Sequence, residues 1–232
     1  MLRPEGYPRA IIWDLDGTLV ESAPDIATAL NILLNEQGMS GYPIPAVRKM
    51  IGGGVAKLIE RAYRLSGESI GPARLDALVP RFMEVYSDCA TDSTKLVPHA
   101  RKALSHFYNT GVRQGLCTNK PEAVTRQILG ALDISGYFAS VVGGDSTQEK
   151  KPHPLPLITC LEELATSPED ALMIGDSGAD VGAARAANIT VIVVPDGYTE
   201  APAETLGADF VLKELASLPE TIHQMYFARM AS

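Results

Sequence analysis

The chain has 232 residues, 20 of them Lys or Arg and 28 Asp or Glu, so its formal net charge is −8. Hydrophobic residues make up 46% and charged residues 21%, a globular composition that excludes disorder along the whole chain and fits one large or two small domains. The acidic balance argues against nucleic acid as a partner, because that calls for a basic face.

In chain order, the first apolar run is 10–13. It is too short for a signal peptide, whose apolar stretch is about 7–15 residues, or for a membrane helix of about 20. A cytoplasmic protein with no membrane partner is therefore expected. The run reads instead as a buried strand, as do 115–117, 140–142, 171–174 and 190–194. These are aliphatic or β-branched and do not alternate, as in strands covered on both faces. Between 22 and 95 the pattern is helical only. Ala23-Pro24-Asp25 opens the first helix, with Pro24 in its first turn and Gly38 as its stop. Segments 45–50 and 55–65 flank Gly52-Gly53-Gly54, and 72–86 forms the last helix. Roughly 75 helical residues inserted after the first strand predict a small second domain. Later strands alternate with helices predicted over 100–108, 122–132, 155–164 and 180–187. The expected class is α/β, a Rossmann-like parallel sheet covered by helices, with ligand beyond the carboxyl ends of the strands.

Those ends carry the chemistry. The first strand leads into Asp14-Leu15-Asp16-Gly17-Thr18. Two acids leaving an apolar strand repel each other, and a hard divalent cation such as Mg2+ removes the repulsion. An Asp-Gly turn is the plain alternative. Strand 115–117 runs into Thr118-Asn119-Lys120, whose hydroxyl and backbone N–H groups can hold phosphate oxygens or simply end a strand. Lys150-Lys151-Pro152 offers a lysine to neutralise phosphate charge, or an exposed basic pair before a turn. Strand 171–174 is followed by Gly175-Asp176-Ser177-Gly178-Ala179-Asp180, whose acids share one side of a helix starting there or cap its N-terminus. Together, acids, a lysine and a hydroxyl converging on one sheet edge match a phosphoryl-transfer site.

With all four motifs in order, the chain resembles the haloacid dehalogenase-like hydrolases up to about Asp209. Asp14-Leu15-Asp16-Gly17-Thr18 is similar to their first motif, Thr118 to the second, Lys151 to the third and Gly175-Asp176-xxx-Asp180 to the fourth. The helical insertion is similar to their all-helical C1-type cap, which implies a core of 1–20 and 96–232 and a cap of 21–95. Val20-Glu21-Ser22-Ala23-Pro24-Asp25, the 51–57 loop and 142–145 look most like the phosphoglycolate phosphatase group, which more often has Asp where this chain has Glu21.

The resemblance implies Asp14 as nucleophile and Asp16 as general acid, then general base. It implies Mg2+ held by Asp14, the Asp16 backbone carbonyl and Asp176, with Asp180 a ligand through water or an outer support. Thr118 and Lys151 would bind the transferring phosphoryl group, assisted by Asn119 and the amides after Asp14. Dehalogenases and phosphonatase-like members lack the acid at Asp16. Thr18, and the lack of a histidine before His99, favour hydrolysis over mutase chemistry. The expected partner is a small phosphorylated metabolite, 2-phosphoglycolate first, with sugar phosphates, nucleoside monophosphates or pyrophosphate as alternatives. The loop containing Gly53 and Gly54, with Arg48 and Lys57 beside it, either closes over the far end of the substrate or serves as a hinge.

Two rivals differ in class. Gly175-Asp176-Ser177-Gly178-Ala179 nearly matches the nucleophile elbow of serine hydrolases, and Asp196 or Asp209 with His223 would complete a triad order. That reading leaves Asp14, Asp16 and Lys151 without roles. A binding protein on this scaffold would be expected to lack one of the four motifs. Cys89, Cys117 and Cys160 form no CxxC pair and read as reduced thiols, and no His/Cys cluster suits zinc. The sequence carries no signal of oligomeric state.

Overall fold

The computed structural model describes residues 7–199 and 201–230. Six parallel strands form the main sheet: β1 (Ala10–Trp13), β4 (Arg113–Cys117), β5 (Ser140–Val142), β6 (Ala171–Gly175), β7 (Thr190–Val193) and β8 (Phe210–Val211), in the order β5-β4-β1-β6-β7-β8. The central β1 is fully buried, and its side chains divide between two apolar clusters. Ile11 and Trp13 join Leu116, Leu172 and Ile174 on one face, whereas Ala10 and Ile12 join Cys117 and Met173 on the other. The strict period of two makes each strand core on both sides. One polar group crosses this core: Gln114 accepts from the Trp13 indole at 3.0 Å and donates to the Leu104 carbonyl at 3.0 Å, so none of these polar atoms is orphaned.

Helices α7 (Leu155–Glu163) and α8 (Gly178–Ala186) cover one face; α5 (Ala100–Asn109) and α9 (Leu218–Met230) cover the other, near α6 (Glu122–Ala131). The sequence pattern identified neither β8 nor α9. A two-residue strand has no readable period, whereas α9 does bury Leu218, Ile222 and Met225 at helical spacing.

The insertion contains α1 (Ala23–Glu36), α2 (Ile44–Arg48), α3 (Val55–Leu65) and α4 (Pro72–Cys89), with α4 packed on α1 and α3. A short antiparallel ribbon, β2 (Val20–Glu21) with β3 (Lys95–Leu96), joins it to the core, and the breaks expected at 20/21 and 95/96 both fall inside this ribbon. α4 runs through Pro80 and past the expected end at 86, because its stripe of Leu75, Leu78, Phe82, Val85 and Tyr86 is buried. Burial of that stripe outweighs the hydrogen bond lost at proline. Among the described residues no helix is long and apolar enough to cross a membrane.

One buried carboxylate fastens the return from the insertion. Asp25 in the first turn of α1 accepts from the Ser93 amide at 2.9 Å, the Thr94 amide at 2.7 Å and the Thr94 hydroxyl at 2.7 Å. Removing it takes the partner from three donors, two of them on buried Thr94. Asp25→Ala is expected to lower the unfolding free energy by about 2–3 kcal/mol, read as a lower urea midpoint at unchanged slope. A loss below about 0.5 kcal/mol would contradict this account of the tether.

Candidate active site

Strands β1 and β6 are neighbours, so their carboxyl ends bring both acidic motifs together. Oxygens of Asp14, Asp176 and Asp180 all lie within 4.8 Å of one another, and all three residues are buried. Lys151, from the segment after β5, enters this group. Its ammonium donates to Asp14 Oδ1 at 2.7 Å, Asp180 Oδ1 at 2.6 Å and the Cys117 carbonyl at 2.6 Å. Burial opposes the lysine charge, but the two carboxylates outweigh it and hold its pKa above the usual range. Burial likewise pushes Asp14 up to about 7, against the pull of Lys151, and lifts Asp176 well above the usual carboxylate range.

Asp180 also serves the helix it starts. Its Oδ2 accepts from the Ser177 amide at 3.0 Å and the Ser177 hydroxyl at 2.6 Å, while Ser177 caps α8 in return. The helix-cap reading of the fourth motif is therefore realised, and the same carboxylate stands within the acidic group. Asp176 accepts from Thr18 Oγ1 at 3.2 Å and from the Tyr198 amide at 2.6 Å. Asp14 Oδ2 has no hydrogen-bond partner among the described residues. Three carboxylates against one ammonium leave this inner set two negative charges in excess when ionised. A hard divalent cation fits that excess and that oxygen donor set.

Asp16 has its own partners, which the sequence did not single out. Lys120 donates to Asp16 Oδ2 at 2.9 Å, and the Ser22 hydroxyl donates to Oδ1 at 2.5 Å. Burial opposes the Lys120 charge, but Asp16 outweighs it and raises its pKa. Lys120 also lies 4.7 Å from the centroid of the Tyr86 ring on α4, a cation–π contact across the two parts of the chain.

Thr118 is buried at the end of β4, where its hydroxyl accepts from the Lys120 amide at 3.2 Å. The Asn119 side chain, expected at the phosphoryl group, instead grips Lys151 through both backbone groups at 2.9 and 3.0 Å and donates to the Gly52 carbonyl at 3.0 Å. It thus positions Lys151 and meets the glycine loop. Gly53 and Gly54 line a cleft of about 1230 Å³ with Asp14, Asp16, Thr118 and Lys151. Arg48 bonds Glu21 at 2.8 Å and the Asp196 carbonyl at 2.6 Å and lies over the Tyr198 ring. Lys57 pairs with Glu60 at 2.7 Å.

Tyr198 is a second residue the sequence did not reveal. Its hydroxyl accepts from the Ser22 and Ala23 amides at 2.8 and 3.0 Å and donates to Glu21 at 2.7 Å. It caps α1 because the Ser22 hydroxyl is turned to Asp16. The elbow residue Ser177 donates to Asp180, and His223 lies beside Tyr7 with ring centroids 6.1 Å apart, so this geometry assembles no Ser–His pair.

The sequence model described as haloacid dehalogenase-like hydrolase matches residues 11–194. The chain belongs to this family. A phosphoglycolate phosphatase of Rhodospirillum rubrum is 37% identical over 215 residues, covering 91% of this chain and 89% of the relative. One from Nitrosospira multiformis is 40% identical over 195 residues, covering 83% and 85%. Among solved structures, a protein from Haemophilus somnus described as a predicted phosphoglycolate phosphatase superposes with a TM-score of 0.86 at 27% identity, covering 93% of this chain and 98% of the other. This member of the haloacid dehalogenase-like hydrolases keeps an acid, a hydroxyl, a lysine and an acid pair at the four expected strand ends.

The packing around Asp176 leaves no room for a side chain at Gly197, where a Cβ would overlap the Asp176 carboxylate. Gly197→Ala is expected to displace Asp176 and cut turnover of p-nitrophenyl phosphate about a hundredfold, with little change in the thermal midpoint. Near-normal turnover would contradict a working role for Asp176.

Proposed function

We propose that this chain is a Mg2+-dependent phosphatase that hydrolyses 2-phosphoglycolate through phosphorylated Asp14. The observation that carries the reading is the Asp14 carboxylate, held by Lys151 on one oxygen and open on the other, with Asp16 two residues on. The relatives named phosphoglycolate phosphatase support the choice of substrate.

Asp14 attacks phosphorus while the bond to the leaving oxygen breaks. Asp16, steadied by Lys120 and Ser22, gives its proton to that oxygen and releases glycolate. Asp16 then takes a proton from the water that attacks the same phosphorus, and phosphate departs with Asp14 restored. Lys151 and Thr118 hold the phosphoryl oxygens, and Asn119 fixes Lys151. Asp14, the Asp16 carbonyl and Asp176 would hold Mg2+, with Asp180 supporting; the ion offsets the negative charge of carboxylates and phosphoryl oxygens. The division into a core of 1–20 and 96–232 and a cap of 21–95 goes with this reading, as does action in the cytoplasm on a free metabolite.

Asp14→Asn keeps the shape of the side chain but removes the nucleophile, and is expected to bring 2-phosphoglycolate turnover to background. Asp16→Asn is expected to cost about 10²–10⁴-fold on this alkyl ester and less on p-nitrophenyl phosphate, whose leaving group needs little protonation. Substantial turnover by Asp14→Asn would overturn the mechanism. So would equal losses on both esters for Asp16→Asn when phosphorylation limits the rate.

Mg2+ binding should be linked to protons. Burial holds Asp14 at about 7 and Asp176 high while no cation is bound, so cation binding must release protons from them. Affinity should therefore strengthen as pH rises from about 6 to about 8. Calorimetric titration in buffers of differing ionisation enthalpy reads this directly. Equal affinity at both pH values with no proton release would contradict the linkage.

A further inference from the structure

We propose that Tyr86 and Lys120 form the pocket for a carboxylate on the leaving group, so that the enzyme prefers short phosphate esters carrying an acid one carbon from the ester oxygen. The inference rests on the phosphatase reading above and deepens it by naming the groups that recognise the substrate.

The Tyr86 hydroxyl is the observation that prompts it. It is buried, lines the cleft and makes no hydrogen bond of good geometry, although the Lys120 ammonium is close enough to interact with it. An unpartnered buried hydroxyl costs about 1–3 kcal/mol, a penalty that a ligand oxygen relieves. Burial pushes its pKa up to about 12, so it stays a neutral donor. Tyr63 has the other unpartnered buried hydroxyl among the described residues, but it does not line the cleft.

Lys120 supplies the charge. Its ammonium lies over the Tyr86 ring at 4.7 Å and donates to Asp16 at 2.9 Å. The ammonium has three protons, and Asp16 engages one of them. Arg48 is held by Glu21 and Asp196, Lys57 by Glu60, and Arg61 by the Met50 and Ile51 carbonyls, while Lys49 and Arg64 also line the cleft.

Reach then fixes the substrate class. A leaving oxygen protonated by Asp16 must come within about 2.6–3.2 Å of that carboxyl. In 2-phosphoglycolate one methylene separates this oxygen from the carboxylate. A group so tethered meets the Lys120 ammonium on the same Asp16 carboxyl, with the Tyr86 donor adjoining. Because Tyr86 belongs to α4 and Lys120 follows β4, the carboxylate also bridges the insertion and the core.

The test compares kcat/KM for 2-phosphoglycolate and for 2-hydroxyethyl phosphate, which replaces the carboxylate with a hydroxymethyl group. Both esters are assayed with Mg2+ on wild type, Tyr86→Phe and Lys120→Met. Wild type should favour 2-phosphoglycolate. Tyr86→Phe should shrink that preference about tenfold, chiefly through KM for the carboxylate ester, and Lys120→Met should shrink it further. A Tyr86→Phe enzyme that keeps the full preference, or loses activity on both esters in equal proportion, overturns the pocket while leaving the proposed substrate intact. A wild type with no preference overturns the proposed substrate and the pocket together. If Lys120→Met fails to fold, Tyr86→Phe alone decides.

Discussion

Four carboxylates, those of Asp14, Asp16, Asp176 and Asp180, leave the ends of two hydrogen-bonded strands at one cleft, and all but Asp16 are buried. Isolated ionised carboxylates are too costly to bury, so every neighbouring element is bound to supply positive charge or donors. The segment after β4 supplies Lys120, which answers Asp16; the segment after β5 sends in Lys151, which answers Asp14 and Asp180. Backbone amides of Ser177 and Tyr198 take further lone pairs. The excess negative charge that the inner set carries when ionised is the physical reason the site suits a hard divalent cation.

The same economy of partners couples the insertion to the core. Asp16 takes the Ser22 hydroxyl that would ordinarily cap α1, so Tyr198 caps the helix instead, while its own amide supports Asp176. Glu21 bridges Tyr198 and Arg48, and Asn119 links Lys151 to the Gly52 carbonyl. Three hydrogen bonds thus link Arg48 of α2 to Asp176, and two link the Gly52 carbonyl to the Lys151 backbone. Buried apolar residues of the insertion and of one face of the sheet belong to a single cluster.

The sheet and most of the site were legible because both follow local rules. Buried parallel strands show as short apolar runs, and functional groups of such sheets fall at their carboxyl ends, so Asp14, Thr118, Lys151 and Asp176 could be placed in order. What escaped depends on contacts distant in sequence. Lys120 looks like part of a turn until Tyr86 is brought over it. Tyr198 lies in a stretch without periodicity, and its hydroxyl matters only because Ser22 faces away. Asn119 has the right chemistry for phosphate, but its amide matches the Lys151 backbone, and that pairing across 32 positions leaves no trace in the sequence. Arg48 and Lys57 show in the sequence only as basic residues beside the glycine loop, because their partners, Glu21 and Glu60, are ordinary acids until the helices pack.

The central claim is that phosphorus passes through Asp14. Rapid acid quenching of a single turnover with 32P-labelled 2-phosphoglycolate tests it most directly. The account predicts protein-bound label that rises and decays within the turnover, is labile in base as an acyl phosphate must be, and maps to the peptide containing Asp14. Product phosphate appearing with no labelled protein under conditions where wild-type phosphorylation outpaces hydrolysis, or label mapping to another residue such as Ser177, would contradict it.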